Sequence, residues 1–263
     1  GINKGDHIAV IGPSGCGKST FAKTIVQMLP KGSISSGDVF IYGKDLKTMN
    51  KEQLQFFRRE KFGFIFQDAI KKLNPLMTVG AHLYELFKIH KHYKSDILIK
   101  RYVQEVFQKV GIDIKRLNSY PHEFSGGMRQ RVAIAMAIAL NPSIIIADEP
   151  TTSLDTFRSY QVMNQLISLC ENYGSTLILI SHDINLAAKW CKKVAIFEEG
   201  QIKELGNINA ILKSPKSIIG KQLVDAGSTD FASNNCFTKD NGIILEVNNL
   251  RCWYRASSSI FNP

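Results

Sequence analysis

Long apolar runs are the first thing this chain lacks. The longest uncharged one, Val132 to Leu140, spans nine residues, about half of what a membrane-crossing helix needs. Cysteine is sparse and dispersed: Cys16, Cys170, Cys191, Cys236 and Cys252 include no C-x-x-C pair. A reduced, cytoplasmic setting fits that usage best. Basic runs are short as well, none longer than two residues, and no aromatic–basic interleaving builds a base-stacking platform. The net charge of +10 therefore reads as scattered, solvated lysines or as attraction to anionic lipid headgroups, with nucleic acid the weaker option. No secretory signal opens the chain, and Gly1-Ile2-Asn3-Lys4-Gly5-Asp6 reads as the middle of something longer. What is there, 44% apolar and 21% charged residues over 263 positions, suits one large α/β domain or two smaller ones with ample core.

The stretch around which the chain is organised is Gly12-Pro13-Ser14-Gly15-Cys16-Gly17-Lys18-Ser19-Thr20, which fits G-x-x-x-x-G-K-[ST]. Ile8-Ala9-Val10-Ile11 ahead of it suits a buried parallel strand. Phe21, Ala22, Ile25, Val26 and Leu29 behind it recur at helical spacing until Pro30. Glycines let the backbone curl with its N–H groups inward, a cup for phosphate oxygens at a helix start. Lys18 then reaches the β- and γ-phosphates and the Ser19 hydroxyl ligates Mg²⁺. A glycine-rich turn matching by chance would lack these flanks. The reading is a nucleoside triphosphate site.

Asn3-Lys4-Gly5-Asp6 also spells N-K-x-D, a guanine signal elsewhere, but it stands before the first strand and reads as a turn. Gly37 to Gly43 alternates like a strand, Lys51 to Arg59 like a polar helix, and Phe62 to Phe66 is a buried strand ending at Gln67-Asp68. Thr78 to Val110 is helical and amphipathic, and no strand candidate lies between Gln67 and Ile144. An all-helical insertion, about residues 69–141, in an α/β framework is the expectation. His90 and His92 read as a solvated helix end rather than metal ligands. Pro121 to Gly127 breaks the helices, and an alanine-rich helix follows, Met128 to Leu140. Ser125 is placed to cap it, and Gly126-Gly127 to expose its N–H groups, a second anion-ready helix start.

Ser143 to Ala147 is a continuous apolar strand ending in Asp148-Glu149-Pro150. Beside a phosphate loop these carboxylates divide labour: Asp148 for the Mg²⁺ shell, Glu149 for the attacking water. Thr176 to Ile180 is another buried strand, ending at Ser181-His182-Asp183, so His182 stands where parallel sheets place ligands and is expected at the γ-phosphate. Val194–Phe197 and Gln201–Glu204 form a closing hairpin. Two short helices follow, at Asn209–Lys213 and Lys216–Val224, then a polar linker over 225–242. Ile243 to Val247 starts a fresh strand with Trp253 and Tyr254 close behind.

Together these motifs resemble the nucleotide-binding subunit of ABC transporters, over Gly1 to Val224. The phosphate loop is Gly12–Thr20, the Q-loop Gln67, the signature Phe124-Ser125-Gly126-Gly127-Met128. The Walker B strand is Ile144–Glu149, the D-loop Ser153-Leu154-Asp155, and the switch histidine His182. The fold implied is an α/β P-loop NTPase of ABC ATPase type, with an antiparallel β subdomain and an all-helical insertion. Lys72 to Gly80, Tyr120 to Arg131 and Ala147 to Thr152 look like the dipeptide, oligopeptide and nickel importer group. Met128 replaces the glutamine of the general signature. Such domains open with a strand pair carrying an adenine-stacking aromatic, which this chain starts after. Ile243–Tyr254 looks like that opening, and residues 243–263 either begin a second module or fold back to complete the first; the polar linker favours the second module.

The resemblance implies ATP and Mg²⁺ held between two head-to-tail domains. One face supplies Lys18, Ser19, Gln67, Asp148, Glu149 and His182, with Ser19, Gln67 and Asp148 around the metal. The partner's copy of Ser125, Gly126 and Gly127 closes over the γ-phosphate. Implied partners are a second ABC module and integral membrane permease subunits, with no nucleic acid, and the implied location is the cytoplasmic face of the plasma membrane, peripherally bound. The implied activity is ATP hydrolysis powering import of peptides or nickel complexes. The rivals are a soluble ABC ATPase acting on ribosomes or DNA, and a P-loop kinase, which would have no use for Ser125-Gly126-Gly127.

Overall fold

Strands that read as unbroken apolar runs are strands covered on both faces, and the computed structural model arranges them so. It describes residues 1–29, 38–67, 73–90, 95–152 and 154–229. The chain divides into a unit Gly1–Asp230 and a unit Phe231–Pro263; the second, and with it the expectation for 243–263, lies outside the described residues. In order come β1 (His7–Ile11), α1 (Lys18–Ile25), the two-residue strands β2 (Phe40–Ile41) and β3 (Lys44–Asp45), α2 (Lys51–Lys61) and β4 (Phe62–Ile65). Then follow α3 (Val79–Ile89), α4 (Asp96–Lys109), α5 (Gly126–Ile138), β5 (Ile144–Asp148), α6 (Thr156–Tyr173) and β6 (Thr176–Ser181). The series closes with α7 (Ile184–Ala188), β7 (Lys193–Glu198), β8 (Gln201–Asn207), α8 (Ile208–Lys213) and α9 (Ile218–Thr229).

Among the described residues the main sheet has six strands in the order β4-β5-β6-β1-β7-β8, and β2 pairs with β3 alone. The ladders from β4 to β7 are parallel; β8 runs back antiparallel against β7. The carboxyl ends of β1, β4, β5 and β6 therefore share one edge, where such sheets bind ligands. Period-two alternation sends Ile8, Val10, Ile146, Ile178 and Ile180 to the face covered by Ala22 of α1 and by Val26, which caps that helix. Ala9, Ile11, Ile145, Ala147, Leu177 and Leu179 point to the other face, into the large core shared with α5 and α6.

Between β4 and β5 the described residues hold helices and short 3₁₀ turns and no strand. Helix α5 is buried at Val132, Ala133, Ile134, Ala135, Ala137 and Ile138, nearly all round, because its small side chains let it lie close on the sheet. Gly63 of β4 sets that distance: a Cβ there would stand 2.4 Å from the Ala137 carbonyl oxygen. This α/β fold, with its parallel sheet, small antiparallel pair and helical segment, is the class expected.

Four local readings need correction. The strand expected over 37–43 is only β2, with Gly37 outside the described residues. Tyr42 takes φ +51°, so the chain turns where side-chain alternation alone suggests it continues. His90 is not solvated: it is buried, with Nδ1 3.4 Å from Glu60 Oε1 at the end of α2; His92 lies outside the described residues. Ser125 occupies the N-cap position of α5, but its hydroxyl makes no capping hydrogen bond. Helix α9 runs on to Thr229, so the first residues of the expected linker, 225–229, are helical. The turn read at residues 3–6 stands, with the Asp6 N–H donating to the Asn3 carbonyl at 3.1 Å.

Candidate nucleotide site

The loop from Gly12 to Gly17 is held from two sides. Gly12 leaves β1 so close to the next strand that a Cβ would fall 2.1 Å from the Phe197 carbonyl oxygen of β7, and only glycine fits. The turn between β7 and β8 reaches over the loop, its Gly200 N–H donating to the Cys16 carbonyl at 3.0 Å. Phe21 packs on Phe197 with ring centroids 5.2 Å apart. Gly17 then takes φ +101° to start α1, which has no side-chain cap and no acidic residue in its first turn. The first N–H groups of that helix thus have no anionic side chain of their own to bind, which is the electrostatic setting for an outside anion.

Lys18 is 5% exposed. Its ammonium donates to the carbonyls of Gly12 and Pro13, each at 2.8 Å, so two of its three donors brace the loop's own backbone. Asp148, at the end of β5, is also buried. Burial pushes its carboxyl up from the ordinary aspartate range, a hydrogen bond from Ser19 pulls it down, and the neighbouring Glu149 charge pushes it up again. Its Oδ1 has no hydrogen-bond partner although fully buried. An unpartnered buried carboxylate oxygen is costly. A hydroxyl and a carboxylate together form the hard oxygen donor set that suits Mg²⁺, so these two residues fit the metal.

Glu149 follows directly and takes φ +46°, in the left-handed region that non-glycine residues rarely adopt. Its N–H donates to the Ile180 carbonyl of β6 at 3.0 Å, which pins the turn to the neighbouring strand. One carboxylate oxygen, Oε1, lies 3.4 Å from His182 Nδ1; the other accepts the Thr152 hydroxyl at 2.7 Å. A cavity of about 320 Å³ opens here, bordered by Glu149, Thr152, Leu154, Ser181, His182 and Asp183.

The structure thus gathers Lys18, Ser19, Asp148, Glu149 and His182 at one sheet edge. Gln67, exposed, follows the end of β4 two strands from β6. Ser125, Gly126 and Gly127 stand at the start of α5, against the D-loop, with Leu154 Cδ2 3.5 Å from where a Gly126 Cβ would be and Arg158 Cδ 3.8 Å from one on Gly127. Ser125 and Gly126 are exposed. Ser153 lies outside the described residues. Two contributors escaped the sequence reading: the β7–β8 turn that clamps the loop, and Thr152. The signal for Thr152 was Pro150, which favours a turn returning the chain to Glu149.

Comparison with known proteins places the chain among its relatives. The family model described as ABC transporter matches residues 1–152. The oligopeptide transport ATP-binding protein OppD of Bacillus subtilis is 39% identical over 219 residues, covering 82% of this chain and 61% of that protein. The metal-staphylopine import system ATP-binding protein CntD of Staphylococcus aureus is 34% identical over 224 residues, covering 85% and 83%. This chain thus spans less than two thirds of the oligopeptide relative's length. Among solved structures, the ATP-binding cassette MJ0796, in a dimeric post-hydrolysis state bound to ADP and Pi, superposes with a TM-score of 0.70 at 30% identity, over 79% of this chain and 88% of that one. With that family model matching more than half of its residues, the chain belongs to the ABC transporter family.

Proposed function

We propose that this chain binds and hydrolyses ATP, and that hydrolysis powers import of peptides or metal complexes through a membrane permease. The observation that carries the proposal is the contrast between two glycine-rich helix starts. One is built into a cradle around the buried Lys18; the other, at Ser125, is exposed, with Arg158 beside it. A chain carrying one complete and one open half-site suits a head-to-tail pair, and the dimeric relative bound to ADP and Pi supports it.

In this reading the N–H groups of Gly15 to Thr20 cradle the phosphates and Lys18 exchanges its backbone carbonyls for phosphate oxygens. Ser19, Asp148 and Gln67 hold Mg²⁺, which neutralises charge on the phosphates when bound. Glu149 orients the attacking water and accepts its proton. His182, beside Glu149, contacts the γ-phosphate. The partner's copy of Ser125, Gly126 and Gly127 completes the enclosure. Closure favoured by ATP and lost with hydrolysis is a difference in binding between two states, the quantity that drives a coupled membrane partner. No described helix is long and apolar enough to cross a membrane. The relatives, ATP-binding proteins of transport and import systems, support a permease as a separate partner, with this chain peripheral at the cytoplasmic face. The named relatives support peptides or metal complexes as cargo, and this reading includes nickel complexes in the second class. Residues 243–263 are read as the start of a second module.

The test is Glu149→Gln. ATP binding is retained while turnover falls about 100- to 10,000-fold; unchanged hydrolysis removes Glu149 from its role. Affinity capture from membranes then recovers integral permease subunits, whereas recovery of ribosomes or DNA instead overturns the import reading.

A further inference from the structure

The geometry points to Thr152 as the residue that positions the Glu149 carboxylate for hydrolysis; this rests on the ATPase reading above. Glu149-Pro150-Thr151-Thr152 is a four-residue turn with proline at its second position, where its fixed φ is favoured. Thr152 closes the turn twice. Its N–H reaches the Glu149 carbonyl at 3.4 Å, and its hydroxyl, 3.3 Å from the same carbonyl, donates at the shorter 2.7 Å to Glu149 Oε2. The hydroxyl has one proton to give, and the carboxylate is the stronger and nearer acceptor.

The consequence is a division of the two carboxylate oxygens. Oε2 is occupied by Thr152, from the glutamate's own turn, while Oε1 is left on the side of His182, from the end of β6. A carboxylate turns freely about its last bond unless both ends are held. With only His182 at 3.4 Å, Oε1 would have one loose contact to orient it. The hydroxyl supplies the second hold, and it comes from a residue carried on the same turn that gives Glu149 its left-handed backbone. Thr152 itself is exposed and belongs to no described core cluster, so its side chain has a local task rather than a packing one.

The experiment compares Thr152→Val, which keeps the shape and removes the hydroxyl, with Thr152→Ser, which keeps the hydroxyl. Turnover and nucleotide affinity (by titration with a fluorescent ATP analogue) are measured for each, with Glu149→Gln alongside. Thr152→Val is expected to lower kcat about 10- to 100-fold with KM and nucleotide affinity unchanged, and Thr152→Ser to restore turnover. Adding Thr152→Val to Glu149→Gln is expected to cost nothing further, because the hydroxyl acts only through that carboxylate. Full turnover in Thr152→Val, a Ser variant as impaired as Val, or a rise in kcat on removing the hydroxyl would each overturn the assignment. Full turnover in Thr152→Val while Glu149→Gln is dead overturns Thr152 alone. Full turnover in both overturns the role of Glu149 and this inference with it.

Discussion

The starts of α1 and α5 carry the same chemistry and have opposite settings. Both open on glycine-rich sequence, both lack an acidic first turn, and neither has a side-chain cap bond. Around α1 the chain builds walls: Phe197 and Gly200 press on the loop and a buried lysine threads it. Around α5 it builds none, leaving Ser125 and Gly126 exposed beside Leu154 and Arg158. A helix start supplies only half a site. What makes it self-sufficient or dependent on a partner is the neighbouring backbone and charge, and in the proposed reading this polypeptide contains each kind.

The comparison breaks most sharply with charge. Lys18→Ala is expected to weaken nucleotide binding about 10- to 100-fold, since the cradle loses its only buried cation among the described residues. Ser125→Arg should leave binding to the single domain intact while cutting turnover by at least about 100-fold. A binding titration paired with phosphate release separates the two, and equal binding loss in both variants would erase the distinction.

Steric substitution sharpens it on a smaller scale. Gly12→Ala drives a Cβ to 2.1 Å from a backbone oxygen and is expected to cost about 1–3 kcal/mol of stability. Gly126→Ala meets only ordinary contact at 3.5 Å and should stay within about 0.5 kcal/mol. Urea denaturation midpoints check both.

The smallest effect lies at the opposite edge of the sheet, where β1 and β7 begin. The side-chain hydrogen bond from Lys193 of β7, at 2.7 Å, and then the Asn3 N–H hold the Asp6 carboxyl below its ordinary value. A lowered folded pKa means the contribution is present above the ordinary aspartate value of 3.8 and fades as pH falls below it. The pair is partly exposed, so Asp6→Asn should cost only about 0.2–1 kcal/mol at pH 7. The gap between variant and parent should close in acid; a gap that widens in acid would contradict the sign.

Much of this was readable without coordinates of any kind. The strand–loop–helix around Lys18, and the apolar strands ending at Asp148 and His182, are legible because a parallel sheet buried on both faces writes itself as unbroken apolar runs. The turn chemistry then follows directly at their ends. What sequence hid was contact made by backbone conformation or from far away. His90 is buried by Glu60, thirty residues earlier on another helix. Phe40 and Tyr42 alternate like strand residues, yet a left-handed Tyr42 ends the strand. Thr152 bonds a Glu149 that adopts φ +46°, a choice that propensity argues against and that its own turn and the neighbouring strand both hold.

The account turns on whether the open helix start is completed by a second copy of the fold. The direct measurement is the mass in solution, by sedimentation or light scattering, of the Glu149→Gln protein with and without ATP. ATP should convert monomer to dimer, and adding Ser125→Arg should abolish the dimer while the nucleotide still binds. A monomer that binds ATP and hydrolyses it at full rate in the wild-type form, or a dimer indifferent to Ser125→Arg, would contradict it.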